Sequence, residues 1–153
     1  MTLKIKVATL HDCEKEVKKM FINVLNDYCD RFKVVVDDEV KEILICIVNY
    51  DDNADSAGLT CYAEEGKKIL IQVRDPFLSG WEDNPYTMYK FVSILAHEMV
   101  HACQKLTGRK GIKVSNLKYD KTNDAEAYFF APDELEARLF EAPYASMYGG
   151  PLL

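Results

Sequence analysis

The sequence predicts a single α+β domain over residues 1–153, on three observations. A chain of 153 residues is long enough to bury roughly two thirds of its unfolded surface around one core. Its strand-like runs fall before Asp75, and two of them join as a hairpin. Apart from one early amphipathic stretch, its helical patterns all lie beyond Asn84.

The elements follow in order. "LKIKV" alternates apolar residues with lysine at a period of two, which predicts a half-buried first strand. From Asp12 to Phe32, Val17, Met20, Phe21, Val24, Leu25 and Tyr28 recur at steps of three and four, the apolar stripe of an amphipathic helix, with Thr9, His11 or Asp12 as its expected cap. "ILICIV" (Ile43 to Val48) is a continuous β-rich run, expected as a strand covered on both faces. After the turn-like "NYDDNADSAG", the stretch "LTCYAEEGKKILIQV" reads as two strands joined at Glu65-Gly66, where glycine supplies the positive φ of a tight turn.

Asn84 and Pro85 have the types of a helix cap and first-turn residue. From there to Leu106, apolar residues cover nearly every face, which predicts a helix buried in the middle of the domain and ended by Gly108. "NDAEAYFF" is expected to be helical, and Pro132 opens a further helix over "PDELEARLFEA", expected to stop near Pro143.

Composition narrows the function classes. With 48% hydrophobic and 29% charged residues the chain is of ordinary globular type. The five cysteines form no CxxC pair and read as reduced thiols, not as a disulfide framework or a cysteine zinc site. The opening residues lack an apolar run for a signal peptide and no segment approaches a membrane span, so a cytoplasmic location without membrane contact is expected. On a net charge of −6, the strip Lys105 to Lys121 stands out, with Lys105, Arg109, Lys110, Lys113, Lys118 and Lys121 against Asp120 alone. Its plain reading is a solvated loop that acts in partner or substrate choice and not in catalysis.

The chemistry lies in "ILAHEMVHACQ", Ile94 to Gln104. On a helix, residues four apart share a face, so His97 and His101 can aim two imidazoles at one metal ion. Glu98 projects about 100° away, outside the ligand set but within reach of a water there. An HExxH arises by chance in on the order of one chain in a few hundred. Its place in a buried helix gives it weight, because two histidines and a glutamate there need partners or a metal.

A catalytic zinc needs a third protein ligand and an open fourth place. The extended HExxHxxGxxH pattern is absent, with Gln104 and Thr107 at the glycine and last histidine positions. The remaining histidine, His11, lies 86 positions before His97 and is expected in a capping or surface role. Downstream, Asp133, Glu134, Glu136 and Glu141 are the carboxylates available, and Glu134 and Glu136 lie about 200° apart on a helix, so only one of them faces the metal.

"SILAHEMVHACQ" followed by "ELEAR" resembles the HExxH-plus-glutamate zincins, the gluzincin-type metallopeptidases, and especially the small single-domain ones similar to the ImmA/IrrE peptidases. The resemblance covers roughly Leu59 to Phe140. It implies a minimal zincin with a twisted mixed or antiparallel sheet packed on the buried HExxH helix, and a Zn2+ cofactor. Glu134, with Ala137 three residues on, matches the glutamate of the second motif and is the implied third ligand beside His97 and His101. Arg138 stands where that motif has Asp or Asn, which keeps Glu136 open. The resemblance also implies that the strand from Gly58 to Glu64 is an edge that pairs with an extended peptide.

The expectation is therefore a zinc metallopeptidase acting on a peptide or protein substrate, with Glu98 as general base. Two alternatives stand beside it. One is a non-catalytic zinc- or protein-binding module on the same scaffold. The other is a SprT-like protease acting on DNA-bound proteins; nucleic acid is otherwise set aside, and the basic strip is the feature that would bring it back. Tyr119, Tyr128, Tyr144 and Arg138 are the chemically able candidates for stabilising an oxyanion.

Overall fold

The computed structural model describes residues 3–48, 58–63, 66–75, 85–112 and 131–148. In chain order these form β1 (Lys4–Ala8), α1 (Glu14–Phe32), β2 (Glu42–Val48), β3 (Gly58–Ala63), β4 (Lys68–Arg74), α2 (Pro85–Thr107) and α3 (Pro132–Tyr148). The fold is α+β, as expected. Its sheet is mixed, in the order β1-β2-β4-β3, with β1, β2 and β4 parallel and β3 antiparallel to β4 at one edge. The expected hairpin is present, and Gly66 takes a φ of 84° between its strands.

One core holds these elements together. Ile43, Ile45 and Ile47 of β2 and Ile69, Ile71 and Val73 of β4 project from the same sheet face, and all are buried. Against them pack the six apolar positions of α1 read from the sequence, every one of which is buried. The same core takes in Phe91, Val92, Leu95, Met99, Val100, Cys103 and Leu106 of α2, so this helix is indeed interior. It ends at Gly108, whose φ of 74° is that of a left-handed stop. Ala137, fully buried, lets α3 lie close along α2.

Three expectations are corrected. β2 is not covered on both faces: Leu44, Cys46 and Val48 are only half-buried, because α1 and α2 pack against the same side of the sheet. No side chain caps α1; Cys13 occupies the cap position, while Thr9 Oγ1 accepts the backbone N–H of His11 at 3.1 Å. Nor does α3 stop at Pro143, but runs through it to Tyr148. The bond that proline removes would have gone to Leu139, which is 62% exposed, so the freed carbonyl lies on the wet side of the helix, where water can satisfy it.

The helix expected over residues 123–130, the proposed cap Asn84, and most of the loops before β3 and after β4 lie outside the described residues. Among the described residues, no helix is long and apolar enough to cross a membrane.

Candidate metal centre and its cleft

α2 carries His97 and His101 one turn apart, and the first turn of α3 carries Glu134 against them. The two Nε2 atoms lie 3.1 Å apart. His97 Nε2 is 3.0 Å from Glu134 Oε2, and His101 Nε2 is 3.1 Å from Glu134 Oε1. These three residues form a group whose ligand atoms all lie within 4.8 Å of one another.

The opposite ring nitrogens are already committed. His97 Nδ1 lies 3.1 Å from Glu141 Oε2, two turns along α3 from Glu134 and on the same face. His101 Nδ1 lies 2.7 Å from Gln104 Oε1. The orientation of that amide is fixed from its other end, because Gln104 Nε2 donates to Glu136 Oε2 and to the Asp133 carbonyl, each at 2.9 Å. Both Nδ1 atoms therefore face acceptors and must carry the protons, which leaves both Nε2 atoms as lone pairs in the neutral tautomers.

Two imidazole lone pairs and two carboxylate oxygens then converge with no donor between them. Such a cluster calls for a donor, which a proton, a water or a metal cation placed among its atoms can supply. Without a metal, a proton fills the role: burial pulls the His97 pKa down, but the hydrogen bonds to Glu134 and Glu141 outweigh it and hold the imidazole up at about 9. Nitrogen and oxygen donors in this number fit zinc, with a further place left for water.

Glu98 faces the cleft beside this group and is buried. Thr60 of β3 donates its hydroxyl to Glu98 Oε2 at 2.5 Å, which holds the carboxylate toward the sheet edge. Gly58 is the reason β3 can come so close: a Cβ there would stand 2.8 Å from Glu98 Cγ and 3.0 Å from Ile94 Cγ2. Further along the same strand, Tyr62 donates its hydroxyl to the Lys105 carbonyl at 2.8 Å. β3 thus runs parallel to α2, and between them opens a cleft of about 470 Å3 whose walls include Glu98, His101 and Glu134.

Of the sequence candidates, the structure brings together His97, His101 and Glu134, with Glu98 alongside. Glu136 is turned away and fully buried, bonded to Tyr28 Oη at 2.6 Å, Gln104 Nε2 and Arg109 Nε at 2.7 Å. Burial, and then the bond to Glu136, push the Tyr28 hydroxyl pKa well up, so it stays a donor. Glu141 supports His97 through Nδ1 instead of joining the group. His11 is occupied at 2.6 Å by the buried Asp75. Tyr144 hydrogen-bonds Asp27, and neither it nor Arg138 lines the cleft. Tyr119 and Tyr128 lie outside the described residues.

The start of the basic strip also differs from a solvated loop. Lys105 belongs to the last turn of α2, and Arg109 is fastened between Glu136 and the Phe32 ring, 3.7 Å from the ring centre. Lys105, Arg109 and Lys110 all line the cleft. The residues that sequence reasoning passed over are Gln104, Thr60 and Gly58. Only Gln104 left a signal, standing three positions after a candidate ligand and hence on its side of the helix.

No protein-family model, no curated protein and no solved structure matches this chain.

Proposed function

We propose that this protein is a zinc-dependent metallopeptidase, with His97, His101 and Glu134 as the metal ligands and Glu98 as the general base. The observation that carries the reading is the convergence of two imidazole lone pairs and a carboxylate, each imidazole oriented by a separate acceptor on its far side. Zinc held there would make a water nucleophilic near neutral pH and polarise a peptide carbonyl.

The chain's own residues supply the rest. Glu98 takes the proton of the attacking water and returns it to the leaving amine. Thr60 keeps the carboxylate aimed while it does so. β3 is paired only on its β4 side among the described residues, so its free edge lies along the cleft as a template for an extended peptide. All five cysteines are free, which suits a protein that works in the reducing cytoplasm.

A non-catalytic zinc-binding module on the same scaffold would have no need of a carboxylate held at the cleft by its own hydrogen bond, and Glu98 has one. The test is Glu98→Gln. It should retain zinc and lose at least about 100-fold in peptide hydrolysis, the usual loss with a general base. Undiminished hydrolysis by that variant would contradict the reading.

A further inference from the structure

The cleft has two chemically different ends. One holds Glu98, His101 and Glu134; the other is walled by Lys105, Arg109 and Lys110. Because β3 runs parallel to α2, a chain lying along β3 passes from the first end to the second. Lys105 is one turn beyond His101, about 6 Å further along the helix axis. An extended peptide advances about 3.4 Å per residue, so Lys105 stands about two residues from the group, and the segment to Lys110 about three or four.

These cations are not equivalent. The Arg109 guanidinium is committed to Glu136 and to the Phe32 ring. Lys105 and Lys110 have no carboxylate partner among the described residues; the Lys105 ammonium rests 4.9 Å from the centre of the Tyr62 ring. Asp133 also reaches the cleft wall, but it engages other groups of the protein.

The backbone that presents Lys110 is itself anchored. Gly111 sits so close to the start of α3 that a Cβ would stand 2.3 Å from the Pro132 carbonyl carbon, and Ile112 N–H bonds the Pro132 carbonyl at 3.1 Å. With Arg109 fixed on one side and Gly111 on the other, Lys110 projects from a pinned segment.

We infer that this basic end is a specificity subsite for a carboxylate carried by the substrate peptide two to four residues from the bond to be cleaved. The inference rests on the peptidase reading. The carboxylate can come from an Asp or Glu side chain or from a free C-terminus; both offer the same charge-assisted hydrogen bonds to ammonium groups. A peptide fits better than a nucleic acid strand, because among the described residues the subsite lies beside a strand edge that pairs with no other strand, and its cations without a carboxylate partner there are Lys105 and Lys110, whereas phosphate-backbone binding draws on many.

The test is binding to zinc-loaded Glu98→Gln protein, read by fluorescence anisotropy at low salt. The probes are labelled alanine-based octapeptide amides with Glu, Gln or Lys scanned through the positions, and an all-alanine octapeptide with a free C-terminus. The best Glu peptide, the free-carboxylate peptide or both should bind about five- to tenfold tighter than their uncharged counterparts, as for one charge-assisted hydrogen bond. A gain for Glu alone assigns a side chain, and a gain for the free terminus alone assigns the chain end. The advantage should vanish in Lys105→Gln/Lys110→Gln and pass to the Lys peptide in Lys105→Glu/Lys110→Glu, with zinc content and melting temperature unchanged.

Equal binding of charged and uncharged peptides, or an advantage that survives the double substitutions, overturns the subsite. So does a short oligothymidylate that outbinds every peptide through the same lysines. Hydrolysis by the unsubstituted protein separates the two readings. Charge-selective binding without any cleavage keeps the subsite and removes the peptidase. Cleavage without charge selectivity does the reverse.

Discussion

His101 Nδ1 donates to Gln104 Oε1 at 2.7 Å, and that amide cannot turn round, because its Nε2 is held by Glu136 and the Asp133 carbonyl. The tautomer of His101, whose Nε2 faces His97 and Glu134, is thus set by a residue one turn further along its own helix. Replacing Gln104 with Leu should weaken zinc binding about 10- to 100-fold, the range for lost orienting partners. Chelator competition measures it, and an affinity unchanged by the substitution would show that the amide only packs.

Glu134 and Glu136 should separate cleanly. Glu134→Ala removes a carboxylate from the converging group and should abolish tight zinc binding while leaving the metal-free fold in place. Glu136→Ala strips Tyr28, Arg109 and Gln104 of their shared partner and should cost about 3 kcal/mol of stability, with a zinc loss through Gln104 no larger than that of Gln104→Leu. Urea unfolding with and without zinc distinguishes the two. A larger zinc loss in Glu136→Ala than in Glu134→Ala would exchange their roles.

Gly58→Ala should damage turnover more than metal binding. The added methyl meets Glu98 Cγ at 2.8 Å and must move the carboxylate or the strand, and its three nearest contacts belong to Glu98 and Ile94, not to His97, His101 or Glu134. A displacement of about 1 Å at a reacting group costs up to about 100-fold in rate. Peptide hydrolysis and zinc affinity measured together check this, and parallel losses in both would place the clash elsewhere.

In the metal-free protein, His97 should make stability depend on pH. Its folded-state value of about 9 lies above the ordinary 6.5, so its contribution is fully present below about pH 6.5 and is lost as the pH rises towards 9. The urea midpoint of chelator-treated protein should fall across that window, and His97→Gln should flatten the slope. A midpoint that rises over the same range would contradict the assignment.

How far the sequence disclosed this arrangement depended on whether a feature repeats along one element or arises between several. The apolar stripe of α1 and the burial of most of α2 from Phe91 to Leu106 were legible because periodicity is a property of a single helix. His97 and His101 were legible for the same reason. Glu134 was less legible: spacing left Glu134 and Glu136 both open, and only the small Ala137 three residues on, with the family resemblance, favoured the first.

The rest was set by approach between elements. Gly58 reads as an ordinary residue at a strand's start until Glu98 is seen against it, and Arg109 reads as part of a charged loop until Phe32 and Glu136 are seen on either side. The one-sided cover of β2 was hidden because its outward positions, Leu44, Cys46 and Val48, are as apolar as its inward ones.

The central claim, a zinc ion held by two imidazoles and one carboxylate, is tested most directly by X-ray absorption at the zinc edge on the purified protein. The account predicts about one zinc per chain with nitrogen and oxygen neighbours at about 2.0–2.1 Å, two of them histidine, and loss of that signal in Glu134→Ala. A sulfur shell at about 2.3 Å, or a spectrum unchanged by His97→Ala and Glu134→Ala, would contradict it.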